Sequence, residues 1–508
     1  MKKSKFILIL INLLLLSGNS FGAIYYIDAI AGRDNHNGLS QQSAWQTLEK
    51  ASKGLYQAGD KILLKEGQTF QGSLKMKSLS GQPGSPIVIS SFGGGRAIIS
   101  SGDSVAVLVG NCDFMVVKNL ICKGSGRLKG NKTSGVNFRE CKNITIDSTD
   151  VSGYLFSGIN MEGGSDIRIT NVYAHDNGYC GIHVTSEVSE GDESLDKSVR
   201  NIYIGYSVTE NNPGCPAIKD NHSGNGILVG GVTNALIEYC ESMNNGWDMP
   251  REGNGPVGIW AYKSDSVVIQ HCYAHHNKTS PKGHDGGGFD FDGGVTNSIM
   301  QYNFSMYNEG AGYGMFQYAD AKLWNNNVVR YNISYHDGVK SGQSGIFMWC
   351  DPSAIPMKNL HAYNNTIVNK FGHGVNFLPG HYENFVFENN IFLVTDSTDQ
   401  FTGGEFTGAL FDRNLYWNSY HAQLGLEQPK IRLDANPVLV DPLLLMPTAD
   451  SLENQNTKTI NLISFFRLKT KSPAIKAAKI ITNNGGKDYW GNRLQKDRKQ
   501  NIGADDKK

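Results

Sequence analysis

Short alternations of apolar and polar residues recur along most of this chain at a nearly constant spacing. One string places an apolar residue directly after a glycine and a second apolar residue two positions later, and another places an apolar residue three positions before Asn or Cys. Alternation with a period of two predicts β-strands. The glycine strings are Ser157–Ile159, Cys180–Ile182, Asn225–Ile227, Val257–Ile259, Gly287–Phe289, Tyr313–Met315, Ser344–Ile346 and His373–Val375.

The spacing of these strings predicts a solenoid. Successive copies are mostly about 26 to 33 residues apart, and a coil of that length cannot bury its apolar face alone, so coils must stack. We therefore predict an all-β parallel β-helix of about ten coils. The leucine-rich repeat consensus is absent, and propeller blades of about 40 residues fit this spacing poorly. Asn303 and Asn332 occupy the same place in successive copies, which predicts an internal Asn ladder at a turn.

The N-terminus has the pattern of a cleaved export signal. A lysine-rich start precedes the apolar run Phe6–Leu16, which is too short to span a bilayer, and Ser20 and Gly22 supply the small residues of a cleavage site. We predict a signal peptide over residues 1–22 and a periplasmic or secreted mature protein. No later stretch of the sequence is apolar enough to predict a membrane span.

The rest of the chain is interpreted as one domain, residues 23–508. We divide it into an N-terminal opening segment and cap over 23–100, regular coils over 101–395, and a final coil with a C-terminal covering segment over 396–508. The 47 Lys and Arg residues balance 47 Asp and Glu residues, which argues against nucleic acid as a partner. We expect a monomer whose partner is an oligosaccharide or polysaccharide.

Eight cysteines raise the question of a disulfide framework. Cys112 and Cys141, and likewise Cys240 and Cys272, lie at matching points of the repeat. This placement predicts small residues stacked in the core, with a disulfide between coils as the alternative. The sequence has no CxxC motif and no Cys/His spacing typical of a zinc site.

The two ends of the chain resemble a known group of proteins. They are similar to the opening and closing segments of bacterial right-handed β-helix carbohydrate-active proteins of the polygalacturonase-like and pectate-lyase-like type. The resemblance implies a right-handed β-helix, and it covers hydrolases, lyases and epimerases alike. The segments that carry it are Tyr26–Asp28, Gly32–Ser40, Ala44–Leu48, Ala58–Leu64, Pro86–Ile89, Ser472–Ile475 and Asn501–Asp505.

Laying the glycine strings in register predicts which residues share one outer face. With each glycine pointing outward, the next two outward positions form two columns across neighbouring coils. Exposed aromatic patches usually mark binding sites, and aromatic rings stack on the C–H faces of sugars. We predict an exposed sugar-binding groove in which Asp290 and Asp292 lie among Trp260, Tyr262, Phe316, Tyr318 and Trp349.

Two carboxylates are the minimum equipment for cleaving a glycosidic bond. Asp290 and Asp292 are two residues apart on one strand, so their Cβ atoms should lie roughly 6.5 to 7 Å apart. That spacing favours an inverting acid and base pair. The motifs of polygalacturonases are absent in their usual order, so pectin specificity is not implied. We predict a glycoside hydrolase with Asp290, Asp292 and Asp285 as catalytic residues.

Further candidates come from the same columns and from the loops that precede them. His183, Lys219, Glu252 and His284 are predicted to bind substrate. A polysaccharide lyase or uronate epimerase is the first alternative, because Lys219, Arg251, Lys282 or His284 could neutralise a uronate. A non-catalytic glycan-binding β-helix is the second. No cofactor is required for hydrolysis, and a Ca²⁺ bound by Asp290 and Asp292 is a further alternative.

Overall fold

The protein winds into a parallel β-helix with three sheets. The computed structural model describes residues 22–186, 199–340, 343–371, 373–397, 401–403, 407–447, 465–496 and 498–507. Apart from Gly22, the predicted signal peptide lies outside these residues. Every pairing between the strands of neighbouring coils is parallel, as the repeat requires.

The first sheet carries the glycine strings. Its strands run beside one another in chain order and lead directly into the second sheet through two long bent strands, Val136–Asp147 and Ser157–Thr170. The other strands of the first sheet are Leu74–Lys77, Val107–Gly110, Cys180–Thr185, Asn225–Gly230, Val257–Tyr262, Gly287–Phe291, Tyr313–Gln317, Ile346–Cys350, Val375–Phe377 and Thr402–Gly403.

The second and third sheets complete each coil. The second sheet contains the later halves of the two bent strands together with Ile24–Ile27, Lys61–Lys65, Ile87–Phe92, Asp113–Lys118, Val199–Gly205, Val232–Glu238, Asp265–Gln270, Ile299–Gln301, Asn325–Arg330, Met357–Tyr363, Tyr382–Glu383, Phe385–Glu388 and Ala409–Asp412. The third sheet contains Thr69–Gln71, Ala97–Gly102, Leu120–Gly124, Asp150–Ser152, Tyr173–His175, Val208–Glu210, Glu241–Met243, Tyr273–His275, Phe304–Met306, Ile333–Tyr335, Thr366–Asn369, Ile391–Val394 and Leu415–Asn418. Two short helices, Leu48–Ser52 and Ser419–Leu424, flank the coils.

The winding is longer than the repeat strings indicate. Within the described residues the third sheet has thirteen strands, against the ten or so coils that the strings predict. The difference arises because the first coils, beginning where Ile24–Ile27 pairs with Lys61–Lys65, follow the same path without the glycine string. Parallel strand pairing therefore continues in coils that lack the glycine string.

Stacked apolar side chains fill the interior. In the first sheet, Ile182, Ile227 and Ile259 are aligned in register from one coil to the next and are fully buried. Further along the same column, Phe289 and Tyr313 stack with their ring centroids 5.3 Å apart. Each inward residue thus covers its neighbour in the next coil, and no coil is apolar enough to be stable alone.

Two ladders of buried asparagines lie at the turns. The predicted pair is confirmed: Asn303 Nδ2 donates to Asn332 Oδ1 at 3.1 Å. The ladder continues through Asn365 to Asn414 and ends where Asn414 Nδ2 donates to Asp434 at 2.8 Å. A second ladder runs from Asn177 to Asn308 and ends at Asp337. An amide both donates and accepts, so it can pass hydrogen bonds from coil to coil.

The eight cysteines all lie in the described part of the chain, where they are buried and free. Several of their Sγ atoms contact backbone carbonyls, as Cys272 Sγ does with the carbonyl of Gln270 at 3.2 Å. They serve as small core residues in this structure.

The C-terminal segment lies against part of the third sheet. The ring centroid of Phe466 lies 5.5 Å from that of Phe304 and 5.2 Å from that of Tyr335. Ala504 N donates to Thr366 Oγ1 at 2.9 Å. These contacts cover the later coils of that sheet and leave the outward face at Tyr173–His175 and Val208–Glu210 uncovered by them.

We expect Asn332→Ala to destabilise the protein strongly. The change removes the acceptor of Asn303 N and Nδ2 and leaves these buried donors unsatisfied. The free energy of unfolding, measured in urea, should fall by about 2–4 kcal/mol. Asn436→Ala is the control, because Asn436 is exposed and donates to Asp412 at the surface. Equal losses for both variants would contradict a structural role for the ladder.

Candidate active site

Asp290 points outward from the middle of the first sheet. On strand Gly287–Phe291 it follows the inward Phe289, and it lies in register with Trp260 of the preceding coil and Gly314 of the next. Asp292 comes directly after the strand. Its N–H donates to the carbonyl of Ala261 at 2.9 Å, and its Oδ1 accepts from Gly293 N at 2.7 Å. The two carboxyls are thus neighbours on one side of the sheet, as predicted.

The predicted register is wrong at one coil. Gly314, which the string places opposite Gly288, lies opposite Asp290, and Phe316 pairs with Trp349 rather than Phe347. The residue that takes the predicted place of Gly314 is Gly312, whose carbonyl accepts from Phe289 N at 3.0 Å. A second glycine two residues earlier keeps the alternation, so the string alone could not distinguish the two alignments.

The carboxyls lie in a long cleft of about 1150 Å³. Its lining extends from Thr185, on strand Cys180–Thr185, to Asn376, on strand Val375–Phe377. The strand of Asp290 is the fourth of the seven first-sheet strands across this stretch, so at about 4.8 Å per strand the cleft extends about 14 Å to either side. The cleft therefore runs along the solenoid axis with the carboxyls near its centre.

The prediction of an exposed floor is wrong. Asp290 is only 2% exposed, Trp260 3% and Phe316 8%. These side chains are covered because the loops that precede the strands form walls beside the floor. The loops carry His222 and Arg251 into the lining of the cleft. Period-two alternation predicts which way a side chain points, but it cannot show how far a neighbouring loop rises above it.

Burial strongly affects the two central carboxyls. Desolvation, followed by the charges of Asp292 and Asp285, raises the pKa of Asp290 well above its usual value. Oδ1 of Asp290 has no hydrogen-bond partner among the described residues. Desolvation and the charge of Asp285 raise the pKa of Asp292 to about 7, although Gly293 N–H and the Lys263 ammonium act in the opposite direction. The charge of ionised Asp292 therefore favours the protonated form of Asp290.

Asp285 also lines the cleft, but its carboxyl is engaged. It accepts from Gly255 N at 2.8 Å and from Gln343 Nε2 at 3.3 Å. Burial raises the pKa of Asp285, with Gly255, Gln343, His284 and Arg251 opposing the shift. These contacts connect the loops that precede strands Val257–Tyr262, Gly287–Phe291 and Ile346–Cys350, so Asp285 contributes to the shape of the wall as well as to the charge around Asp290.

Aromatic side chains form both halves of the cleft. Trp260 Nε1 donates to Asn225 Oδ1 at 3.1 Å, and its ring lies 5.6 Å from Tyr262 and 4.8 Å from His222. Across the carboxyls, Phe316 packs edge-on against Phe347 at 5.9 Å. The predicted residues Tyr262, Phe316, Tyr318, Trp349 and His284 are all part of the lining.

Three predicted substrate-binding residues lie outside the cleft. His183 is half-buried beside it, with Nδ1 3.0 Å from Asn160 Oδ1 and its ring 5.3 Å from Tyr179. Lys219 is exposed on its loop. Glu252 is exposed and forms a surface ion pair with Lys282 at 2.8 Å. Loop residues adjacent in sequence can point to opposite sides of a wall, and period-two reasoning does not extend to loops.

The structure adds lining residues that were not among the predicted site residues. Tyr179, His222, Lys263 and Gln343 all line the cleft. Burial, then the charges of His183 and Arg251, lower the pKa of His222 to about 3, so it is a neutral hydrogen-bonding group there. Lys263 directly follows the predicted residue Tyr262, so its place beside the groove could have been inferred from the sequence. Gln343 reaches the site only through coil stacking.

Metal binding was a further alternative. Within the described ranges, no group of three or more His, Cys, Asp or Glu side chains has an arrangement that could hold a metal ion. The Ca²⁺ alternative stays a prediction. In the same ranges no helix is both long and apolar enough to cross a membrane.

Comparison with protein families identifies the fold. The model of the right-handed β-helix region matches residues 96–190 and 207–392, together more than half of the 508 residues. This chain belongs to the right-handed β-helix family. The predicted fold class is thereby confirmed, and the resemblance seen at the two ends of the chain is confirmed with it.

Solved structures with the same fold are distant in sequence. A GH136 lacto-N-biosidase from Eubacterium ramulus matches with a TM-score of 0.50 and 17% identity, covering 82% of this chain and 66% of that one. The PL6 family alginate lyase AlyGC matches with a TM-score of 0.54 and 14% identity, covering 84% and 54%. The β-helix chain thus spans about two thirds or less of these two proteins. No curated protein matches it.

We expect Asp292→Asn to stabilise the protein above pH 7. A carboxyl whose pKa rises from 3.8 to about 7 on folding costs no stability below pH 3.8, lowers stability progressively between pH 3.8 and 7, and has its full destabilising effect above pH 7. The melting temperature of the variant should therefore exceed that of the wild type at pH 8 and match it at pH 4. Asp320→Asn, at the exposed rim, should show no such difference. A lower melting temperature for Asp292→Asn at pH 8 would contradict the burial of this charge.

Proposed function

We propose that this protein is an exported enzyme that hydrolyses glycosidic bonds in an oligosaccharide or polysaccharide. The observation that carries the proposal is the pair Asp290 and Asp292 on the floor near the centre of the cleft. The pKa values of both carboxyls are raised by burial, and the charge of Asp292 raises the pKa of Asp290 further, so the ionised form of one favours the protonated form of the other. This difference in protonation is what a glycosidase needs from its acid and its base.

The environments suggest which carboxyl has which role. Asp290 is fully desolvated, and Oδ1 is free of hydrogen bonds within the described residues, so it is the proton donor to the leaving oxygen. Asp292 lies near Lys263 and accepts from Gly293 N, and both contacts favour its ionised form. Asp292 is therefore the base that activates water. Extended backbone from Asp290 to Asp292 would give a Cβ separation of roughly 6.5 to 7 Å, a spacing that favours inversion.

The shape of the cleft supports a chain-like substrate. Lining residues extend through three strands on either side of Asp290, so several sugars can lie along the axis at once. Trp260 and Tyr262 on one side, and Phe316 and Trp349 on the other, supply apolar faces for sugar rings. Polar side chains between them can bind hydroxyl groups, which matches the mixed character of carbohydrate sites.

The comparisons support a carbohydrate substrate without choosing the reaction. One similar structure is a lacto-N-biosidase and the other an alginate lyase. A specific observation keeps β-elimination as a second candidate, because Arg251 and Lys263 both line the cleft and could neutralise a uronate carboxylate. The paired carboxyls favour hydrolysis, since a third acid beside them, Asp285, adds negative charge where a uronate would bind.

A panel of polysaccharides should separate the two reactions. The mature protein is incubated with arabinoxylan, arabinogalactan, rhamnogalacturonan and alginate, and reducing ends are measured together with absorbance near 235 nm. We expect new reducing ends without that absorbance, because hydrolysis leaves no double bond. Absorbance rising in step with reducing ends would show elimination and overturn the proposal.

Substitutions in the cleft test the assignment of the acid and the base. Asp290→Asn and Asp292→Asn should each lower kcat by at least about 100-fold, since each removes a proton-transfer group. Asp320→Asn, which also lines the cleft but is exposed at its rim, should keep wild-type activity on the same polymer. Retention of activity by both single variants of the central pair would refute this site.

A further inference from the structure

A second, smaller groove lies on the third sheet, away from the cleft. It has a volume of about 530 Å³ and is formed by strands Tyr173–His175 and Val208–Glu210 with the loops that follow the third-sheet strands. We call this the outer groove. Its lining includes Tyr173, Glu210, Asn244, Trp247 and Lys278, and none of them lines the cleft.

Trp247 is the exposed aromatic residue of the outer groove. Its side chain is 45% exposed, yet its position is fixed. Nε1 donates to Asn211 Oδ1 at 2.8 Å, and the Arg127 guanidinium lies 5.7 Å from the ring centroid. Arg127 is itself held by an ion pair with Asp248 at 2.6 Å. An exposed indole held by two such contacts loses little conformational freedom when a ligand binds.

The polar groups of the outer groove are also pre-oriented. Tyr173 OH donates to Glu210 Oε2 at 2.6 Å, and the Tyr173 ring stacks on His175 at 4.2 Å. The two nitrogens of His175 lie 3.2 Å from Asp150 and 2.6 Å from Asp176. Acceptors and donors thus surround an aromatic face at fixed positions, an arrangement that suits a ligand with several hydroxyl groups and one apolar face.

The position of the groove argues against a protein segment as its occupant. Where the C-terminal segment covers the third sheet, the outward residues are apolar, as at Phe304 and Ile333, which pack in one cluster with Phe466. At the outer groove they change to His175 and Glu210. A polar floor of this kind fits a hydrated ligand better than a covering chain.

The loop over residues 244–256 connects the two sites. Asn244 and Trp247 line the outer groove, whereas Arg251 and Asn254, a few residues later, line the cleft. The same wall therefore presents an aromatic binding face on one side and closes the cleft on the other.

We propose that the outer groove is a second carbohydrate-binding site, in which a pyranose unit of a polysaccharide stacks on Trp247 while its hydroxyl groups bind Glu210, Asn244 and Lys278. The proposal rests on the proposed function, since the ligand is a remote part of the same polymer. The site has no part in bond cleavage. It raises the affinity of the enzyme for long chains by binding them at two places.

The test uses affinity electrophoresis of the full chain in native gels that contain arabinoxylan, arabinogalactan, rhamnogalacturonan or alginate. Asp290→Asn is the background, so that the polymer is not cut. Adding Trp247→Ala should raise the dissociation constant for the retarding polymer about tenfold. Tyr239 directly follows strand Val232–Glu238 of the second sheet, and its side chain is 47% exposed. Adding Tyr239→Ala should leave the dissociation constant unchanged. Trp247→Phe, which keeps a ring face, should retain most of the retardation.

Two results would overturn the proposal that the outer groove binds carbohydrate: equal retardation with and without Trp247, or no retardation by any of the four polymers. If Trp247→Ala melts early, Lys278→Ala takes its place, with the same expected direction. Reducing ends released by the wild type from the same polymers test the catalytic proposal separately. Retardation that depends on Trp247 without any reducing ends would support the groove and overturn hydrolysis. Reducing ends without retardation that depends on Trp247 would support hydrolysis and overturn the groove.

Discussion

Every feature of this protein depends on the hydrogen-bonded stacking of one coil on the next. Parallel pairing in all three sheets satisfies the backbone only between coils, and the buried amides of Asn303 and Asn332 do the same at a turn. Each ladder ends at an aspartate, Asp337 or Asp434, which accepts from the last amide. The stacking keeps the register constant, and a constant register allows residues some 30 positions apart to form one surface.

The cleft uses that rigidity to hold an unfavourable arrangement of charge. Asp285, Asp290 and Asp292 lie close enough for the charge of Asp285 to raise the pKa of the other two and for the charge of Asp292 to raise the pKa of Asp290. Such a cluster destabilises the folded state at neutral pH, and a loosely packed surface would relax to let water reach it. Here the carboxyls project from a strand that is bonded on both sides, at Trp260 and Gly314. Burial of these carboxyls lowers the stability of the folded state, and the same burial raises the pKa of a carboxyl so that it can keep its proton and act as an acid.

The two proposed sites share a wall, and this arrangement follows from how a β-helix is built. Insertions between the third and first sheets cannot enter the packed interior, so they rise outward and form ridges between faces. The loop over 244–256 is one such ridge, with Trp247 on one side and Arg251 on the other. A long polymer can follow such a ridge, which gives the solenoid a binding surface larger than its cleft.

The sequence by itself determined the fold and the central pair of carboxyls, because strand alternation and the length of the repeat are local patterns. Asp290 and Asp292 were found in this way, as were the aromatic residues on the same strands. Only the tertiary structure decided the alignment of Gly312 against Gly288, the depth of Asp290 below the walls, and the separation of Lys219 and Glu252 from the cleft. Those features depend on loops, whose direction follows from packing between coils rather than from the period of the chain.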